Sequence, residues 1–88
     1  MDNSLPNLTS LNLDATTVTN AGVKQLQKLN KLTTLDLGRT RITDGSVADL
    51  TELKNLTFLD CSYTQITEAG LERFRGSLPN ANIRRRSQ

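Results

Sequence analysis

The chain repeats itself every 24 residues, and this periodicity restricts its fold more than any other feature. Residues 8–31 read LTSLNLDATTVTNAGVKQLQKLNK, residues 32–55 read LTTLDLGRTRITDGSVADLTELKN, and residues 56–80 read LTFLDCSYTQITEAGLERFRGSLPN. The units start at Leu8, Leu32 and Leu56, and the third is read as one residue longer near its end. Nine of 24 positions are identical between the first two units, mainly on the framework L-x-x-L-x-L-x-x-T-x-[VI]-T. A unit this short cannot cover its own apolar side, so each must be sealed by its neighbours. The 88 residues therefore form one small domain of stacked units. Residues 1–7 read as the remnant of a preceding unit, and residues 81–88 as a partial strand followed by a basic tail.

Two periodicities divide each unit. Leu11/Leu13, Leu35/Leu37 and Leu59/Cys61 alternate with polar residues, which predicts a strand buried on one side. Val23/Leu26/Leu29 and Val47/Leu50/Leu53 recur at spacing three, and Leu71, Phe74 and Leu78 do so more loosely, which predicts short amphipathic helices. Thr19, Thr43 and Thr67 precede these helices and are predicted to cap them. Asp44 and Glu68 then fall in the first turn, where negative charge favours the helix dipole. Gly22 and Gly70 sit early in two helices, for which close packing of helix on strand is a reason. Thr16, Thr40 and Thr64 stand where the chain leaves each strand, with hydroxyls able to satisfy turn backbone groups.

This framework resembles the leucine-rich repeat family over residues 8–80. The nearest variety is a bacterial type of 24-residue repeat, with Thr16, Thr40 and Thr64 in place of the family's usual asparagine. The resemblance implies an α/β fold. It would be a right-handed solenoid with a short parallel sheet on its concave side and helices on its convex side.

Composition excludes several functions. There is no histidine, no tryptophan and one cysteine, so a Ser–His–carboxylate relay, a zinc finger and a disulfide framework are ruled out. Cys61 occupies the framework position of Leu13 and Leu37, and is expected to be a small buried hydrophobe. No apolar run exceeds two residues, far short of the ~20 that span a bilayer. A soluble chain is expected, with a cytoplasmic setting favoured because the N-terminus has no basic cluster or apolar run of signal-peptide length; the lone thiol fits a reducing compartment. The formal charge of +2 belongs to Arg84-Arg85-Arg86, since residues 1–83 hold eight basic groups against nine acidic ones. Three arginines neutralise too few phosphates to hold nucleic acid at physiological salt, so the run reads as a solvated tail. Asn7-Leu8-Thr9 and Asn55-Leu56-Thr57 match the glycosylation pattern only because the unit boundary reads N-L-T.

The strand positions that point away from the core are Ser10/Thr34/Phe58, Asn12/Asp36/Asp60 and Asp14/Gly38/Ser62. Ala15/Arg39/Tyr63 and Thr17/Arg41/Gln65 lie just beyond. Parallel strands are ~4.8 Å apart, so residues 24 apart form ladders across this side. Phe58 and Tyr63, two of the chain's three aromatics, fall there beside Arg39 and Arg41. Aromatics with arginines are the types enriched where proteins bind one another. Asp36 and Asp60 make a solvated acidic pair. A flat three-strand face offers no pocket to turn them into a catalytic pair, and no loop supplies the six or more oxygens that calcium takes.

These readings converge on a non-enzymatic protein–protein interaction scaffold that needs no cofactor or metal. Its expected partner-binding residues are Phe58, Tyr63, Asp36, Asp60, Arg39 and Arg41. Three strands offer less than the ~800 Å² that a partner in a standard interface covers, so further repeats or the ends should contribute. At the N-terminal end, Leu8, Leu11 and Leu13 should form an uncapped apolar patch. Two arrangements account for it: a C-terminal fragment of a longer repeat protein, or a small protein that dimerises through these leucines. The alternative from another class is a minimal structural or engineered solenoid whose main interaction is this homo-oligomerisation.

Overall fold

The computed structural model describes residues 7–87, so the N-terminal remnant lies outside the described residues except for Asn7. Strands and helices alternate: β1 (Ser10–Asn12), α1 (Asn20–Leu26), β2 (Thr34–Asp36), a 3₁₀ turn (Asp44–Ser46) running into α2 (Val47–Leu50), β3 (Phe58–Asp60), α3 (Glu68–Ser77) and β4 (Asn82–Arg84). The four strands form one parallel sheet in the order β1–β2–β3–β4. Ser10, Thr34, Phe58 and Asn82 are in register, each 24 residues after the last. Leu78 stands one place later than the ladder of Leu29 and Leu53 requires, yet the register at β4 is unchanged. The link from Leu78 to Asn82 is one residue shorter than those from Leu29 to Thr34 and Leu53 to Phe58, so the third unit keeps the 24-residue spacing instead of being one residue longer.

The core is a set of ladders with one rung per repeat. Leu35, Leu37, Leu59 and Cys61 come from the sheet, Val23, Val47, Leu50, Leu71 and Phe74 from the helices, and Ile42 and Ile66 from the intervening turns. All are buried, and each large aliphatic among them contributes about 1.5–3 kcal/mol. Burial changes along the stack. Leu8, Leu11, Leu13, Val18, Leu26 and Leu29 are only half-buried, while the residues 24 positions later are enclosed. Of the first rungs in these ladders, Val23 alone is fully covered. No helix among the described residues is long and apolar enough to cross a membrane.

Side chains also stitch the repeats together. The Asn20 carboxamide accepts from the Thr43 N–H at 3.0 Å and from the Ser46 hydroxyl, and donates to Thr43 Oγ1 at 2.8 Å. One repeat later, Asp44 accepts from the Thr67 N–H at 2.8 Å and from the Thr67 hydroxyl. Asp44 is therefore an inter-repeat staple before it is a partner of the helix dipole, and these Thr67 bonds hold its carboxyl below the usual carboxylate range. Gly70 is glycine because a Cβ there would collide with the Asp44 carboxylate, rather than with a strand. Thr43 and Thr67 cap as expected, accepting from the N–H groups of Gly45 and Gly70. Thr19 has the extended backbone of a cap residue but makes no side-chain capping bond.

The C-terminal arginines are not a free tail. Arg84 closes β4, and its carbonyl accepts from the Cys61 N–H at 2.8 Å. Arg85 turns inward: its Nε donates to the Ile66 carbonyl at 2.9 Å and its Nη1 pairs with Glu68 at 3.2 Å. Its side chain is 22% exposed. Arg85 thus fills on Ile66 and Glu68 the places that the Gln65 N–H and Thr67 fill on Ile42 and Asp44 one repeat earlier.

Candidate functional site

Each strand ends in the same small turn. The side-chain oxygen of Asn12, Asp36 or Asp60 accepts from the N–H two residues on, on Asp14, Gly38 or Ser62, at 2.9 Å in all three repeats. The hydroxyl of Thr16, Thr40 or Thr64 donates back to the carbonyl of Leu13, Leu37 or Cys61, at 2.8, 2.8 and 2.6 Å. These threonines do the turn work expected of them. The aspartates also serve the turn, which corrects their reading as a purely solvated pair: one oxygen of each is committed to the backbone.

Between the two hydrogen bonds lies one residue with left-handed backbone: Ala15 (φ 61°), Arg39 (φ 55°) and Tyr63 (φ 58°). An L-residue pays roughly 1–2 kcal/mol there. The ladder imposes this conformation, because the N–H groups of all three reach the next repeat's carbonyls, on Gly38, Ser62 and Arg86, at 2.8 Å. Gly38 itself does not have positive φ. A Cβ on it would stand 2.7 Å from an Asp14 carboxylate oxygen and 3.2 Å from one of Asp36, so it is bare to let Asp14 approach. Asp14 in turn pairs with Arg39 at 2.8 Å and raises the guanidinium pKa.

On the side of the sheet away from the core these groups line a shallow depression of about 290 Å³. It brings together Asp36, Asp60, Arg39 and Tyr63 from the expected set, and adds Asp14, Gly38, Ser62, Arg84 and Arg86. Tyr63 is the one large exposed hydrophobic among the described residues, at 41%. Phe58 is half-buried, with Thr34 and Asn82 on either side in register, and lies outside the depression. Arg41 is exposed in the following turn and also lies outside it. The sequence reading missed Arg84 and Arg86. Their alternation with Asn82 about the half-buried Ile83 was the available signal, hidden because three arginines at a chain end read as tail.

Leu8, Leu11 and Leu13 sit together at the opposite end, half-buried, and β1 has no strand neighbour on its outer edge among the described residues. Cys61 is enclosed, and burial pushes its thiol pKa up to about 11, so it packs as a hydrophobe rather than reacts. Among the described residues no group of three or more cysteine or carboxylate side chains is placed to hold a metal ion.

No match was found among curated proteins. The sequence matches the leucine rich repeat family profile over residues 6–66, more than two thirds of the chain. Strand, turn and helix recurring every 24 residues, with leucines filling most of the buried ladders, agree with the match: the chain belongs to the leucine-rich repeat family.

Proposed function

We propose that this chain is a non-enzymatic protein-binding module whose partner sits on the open side of the sheet. Leucine-rich repeat domains generally mediate protein–protein interaction. In this reading the stack is a right-handed solenoid, with the sheet on its concave side and the helices convex. The observation that carries the reading is the depression over β2–β4, where Arg39 and exposed Tyr63 stand beside Asp36 and Asp60. The test pans a phage-displayed library of random dodecapeptides on the chain and maps the selected peptides by amide chemical shifts. Perturbations should centre on Asp36, Arg39, Asp60 and Tyr63, and Tyr63→Ala should weaken binding at least tenfold, whereas Phe58→Ala, outside the depression, should have a smaller effect. Binders that map to the helices, or none at all, would overturn it.

The half-buried leucines at β1 favour a second reading beside the first. They are where either a preceding repeat or a second copy of the chain would seat, since among the described residues β1 has no neighbour on its outer edge and apolar side chains flank it. We propose that the chain dimerises through Leu8, Leu11 and Leu13 at ~100 µM, the range of weak interfaces. Sedimentation should show a dimer that Leu11→Asp converts to monomer. A monomer for the parent chain at that concentration would rule this out.

A further inference from the structure

We propose that the left-handed row of Arg39 and Tyr63 is a recognition device, and that it receives an extended peptide bearing a basic residue and, two positions away, an acidic one. This rests on the strand-side binding reading above and specifies its ligand. The first argument is about what the turn requires. Its backbone is held by the inter-repeat ladder, so the residue at the left-handed position needs only to tolerate positive φ, for which glycine or asparagine is best. The second and third repeats instead hold arginine and tyrosine, two of the types that most often dominate binding energy. Neither is packed into the core: the Tyr63 ring is exposed, and the ion pair of Arg39 with Asp14 is at the surface.

The second argument is about charge. Asp36 and Asp60 each commit Oδ1 to the turn, leaving Oδ2 without a hydrogen bond among the described residues. Arg84, in register with Asp60, and Arg86 form no ion pair among the described residues, whereas Arg39 is already matched by Asp14. Crossing the sheet from β2 to β4, the charges without an ion pair among the described residues read acidic, acidic, basic. With strands ~4.8 Å apart, the midpoint of the two aspartates lies about 7 Å from Arg84. Side chains two residues apart in an extended peptide, on one side of it, are separated by about 6.6–6.8 Å. A peptide laid across the strands can therefore set a lysine or arginine over Asp36 and Asp60 and an aspartate or glutamate over Arg84 and Arg86. Tyr63 and Arg39 form the wall beside it.

The experiment titrates the isotope-labelled chain with four blocked heptapeptides, Thr-Val-X-Thr-Z-Val-Thr, where X and Z are Lys and Glu, Lys and Lys, Glu and Glu, or Ser and Ser. The Lys/Glu peptide should shift the amides around Asp60, Tyr63 and Arg84 and bind at least tenfold more tightly than the other three. Arg84→Glu should transfer the preference to the Lys/Lys peptide. Tyr63→Gly should weaken Lys/Glu binding at least tenfold while raising the thermal midpoint, a combination that a structural role for the ring would not give. Equal binding of all four peptides, no binding, or a lower midpoint for Tyr63→Gly would each overturn the inference. If library-selected peptides without the charge pair still map to the strand side, the failure is of this inference alone. If they map to the helices, the wider reading has failed as well.

Discussion

Phe74→Ala should remove about 3–5 kcal/mol of folding stability, the range for deleting a fully buried aromatic ring. Phe74 is completely enclosed, and it is the third rung of a ladder that begins with Leu26 and Leu50. Among the described residues the larger ring falls in the last helix, next to three-residue β4 and the half-buried Ala81 and Ile83. Small domains hold roughly 5–15 kcal/mol in total, so this one change should consume a large share. Because each repeat is sealed by its neighbours, the loss should spread to β3 and β4 first. Urea unfolding at neutral pH measures it, with Phe74→Leu as the control. Leucine fills the previous rung, so that variant should stay within about 1.5 kcal/mol of the parent. A loss below about 1 kcal/mol for Phe74→Ala would show that α3 is outside the cooperative unit.

Asp44→Ala should cost about 1–2 kcal/mol, the lower part of the range for charge-assisted hydrogen bonds, because the site is partly open to solvent. The variant deletes both bonds to Thr67 and leaves open space beside Gly70. Asp44→Asn should retain most of the stability, since Asn20 performs the same stitch one repeat earlier with an amide. The two differ in their response to acid. The folded-state pKa of Asp44 is lowered by the Thr67 hydroxyl and N–H, so its contribution is fully present above the ordinary carboxylate pKa near 3.9. It is lost as pH falls through the lower, folded value. Urea midpoints at pH 7 and pH 3 for parent and Asp44→Asn should therefore converge at the acidic end. A parent chain that loses no more stability on acidification than Asp44→Asn would remove Asp44 from its place as the acid-sensitive staple.

Much of this was legible in the chain. The leucine alternation predicted β1, β2 and β3, because a strand buried on one side must alternate and no other arrangement hides those residues. Thr16, Thr40 and Thr64 were also readable, since they bond within their own turns, three residues back. The stitches were not. Asn20 to Thr43, Asp44 to Thr67 and Arg85 to Ile66 join residues about 19 to 23 positions apart, and nothing local marks them. The left-handed row escaped for a related reason: its residues are alanine, arginine and tyrosine, with no glycine to announce the conformation.

The family, the 24-residue register and the identity of the core can all be read from the residues alone, because they follow from periodic burial within one unit and its repetition. The work of the polar residues emerges once the repeats are stacked. Stacking brought the second oxygens of Asp36 and Asp60, the ring of Tyr63 and the guanidinium groups of Arg84 and Arg86 around one depression. It also folded Arg85 back onto Ile66 and Glu68. Hydrogen bonds and charges act over a few ångströms in space, and neighbours at that distance here are a full repeat apart along the chain.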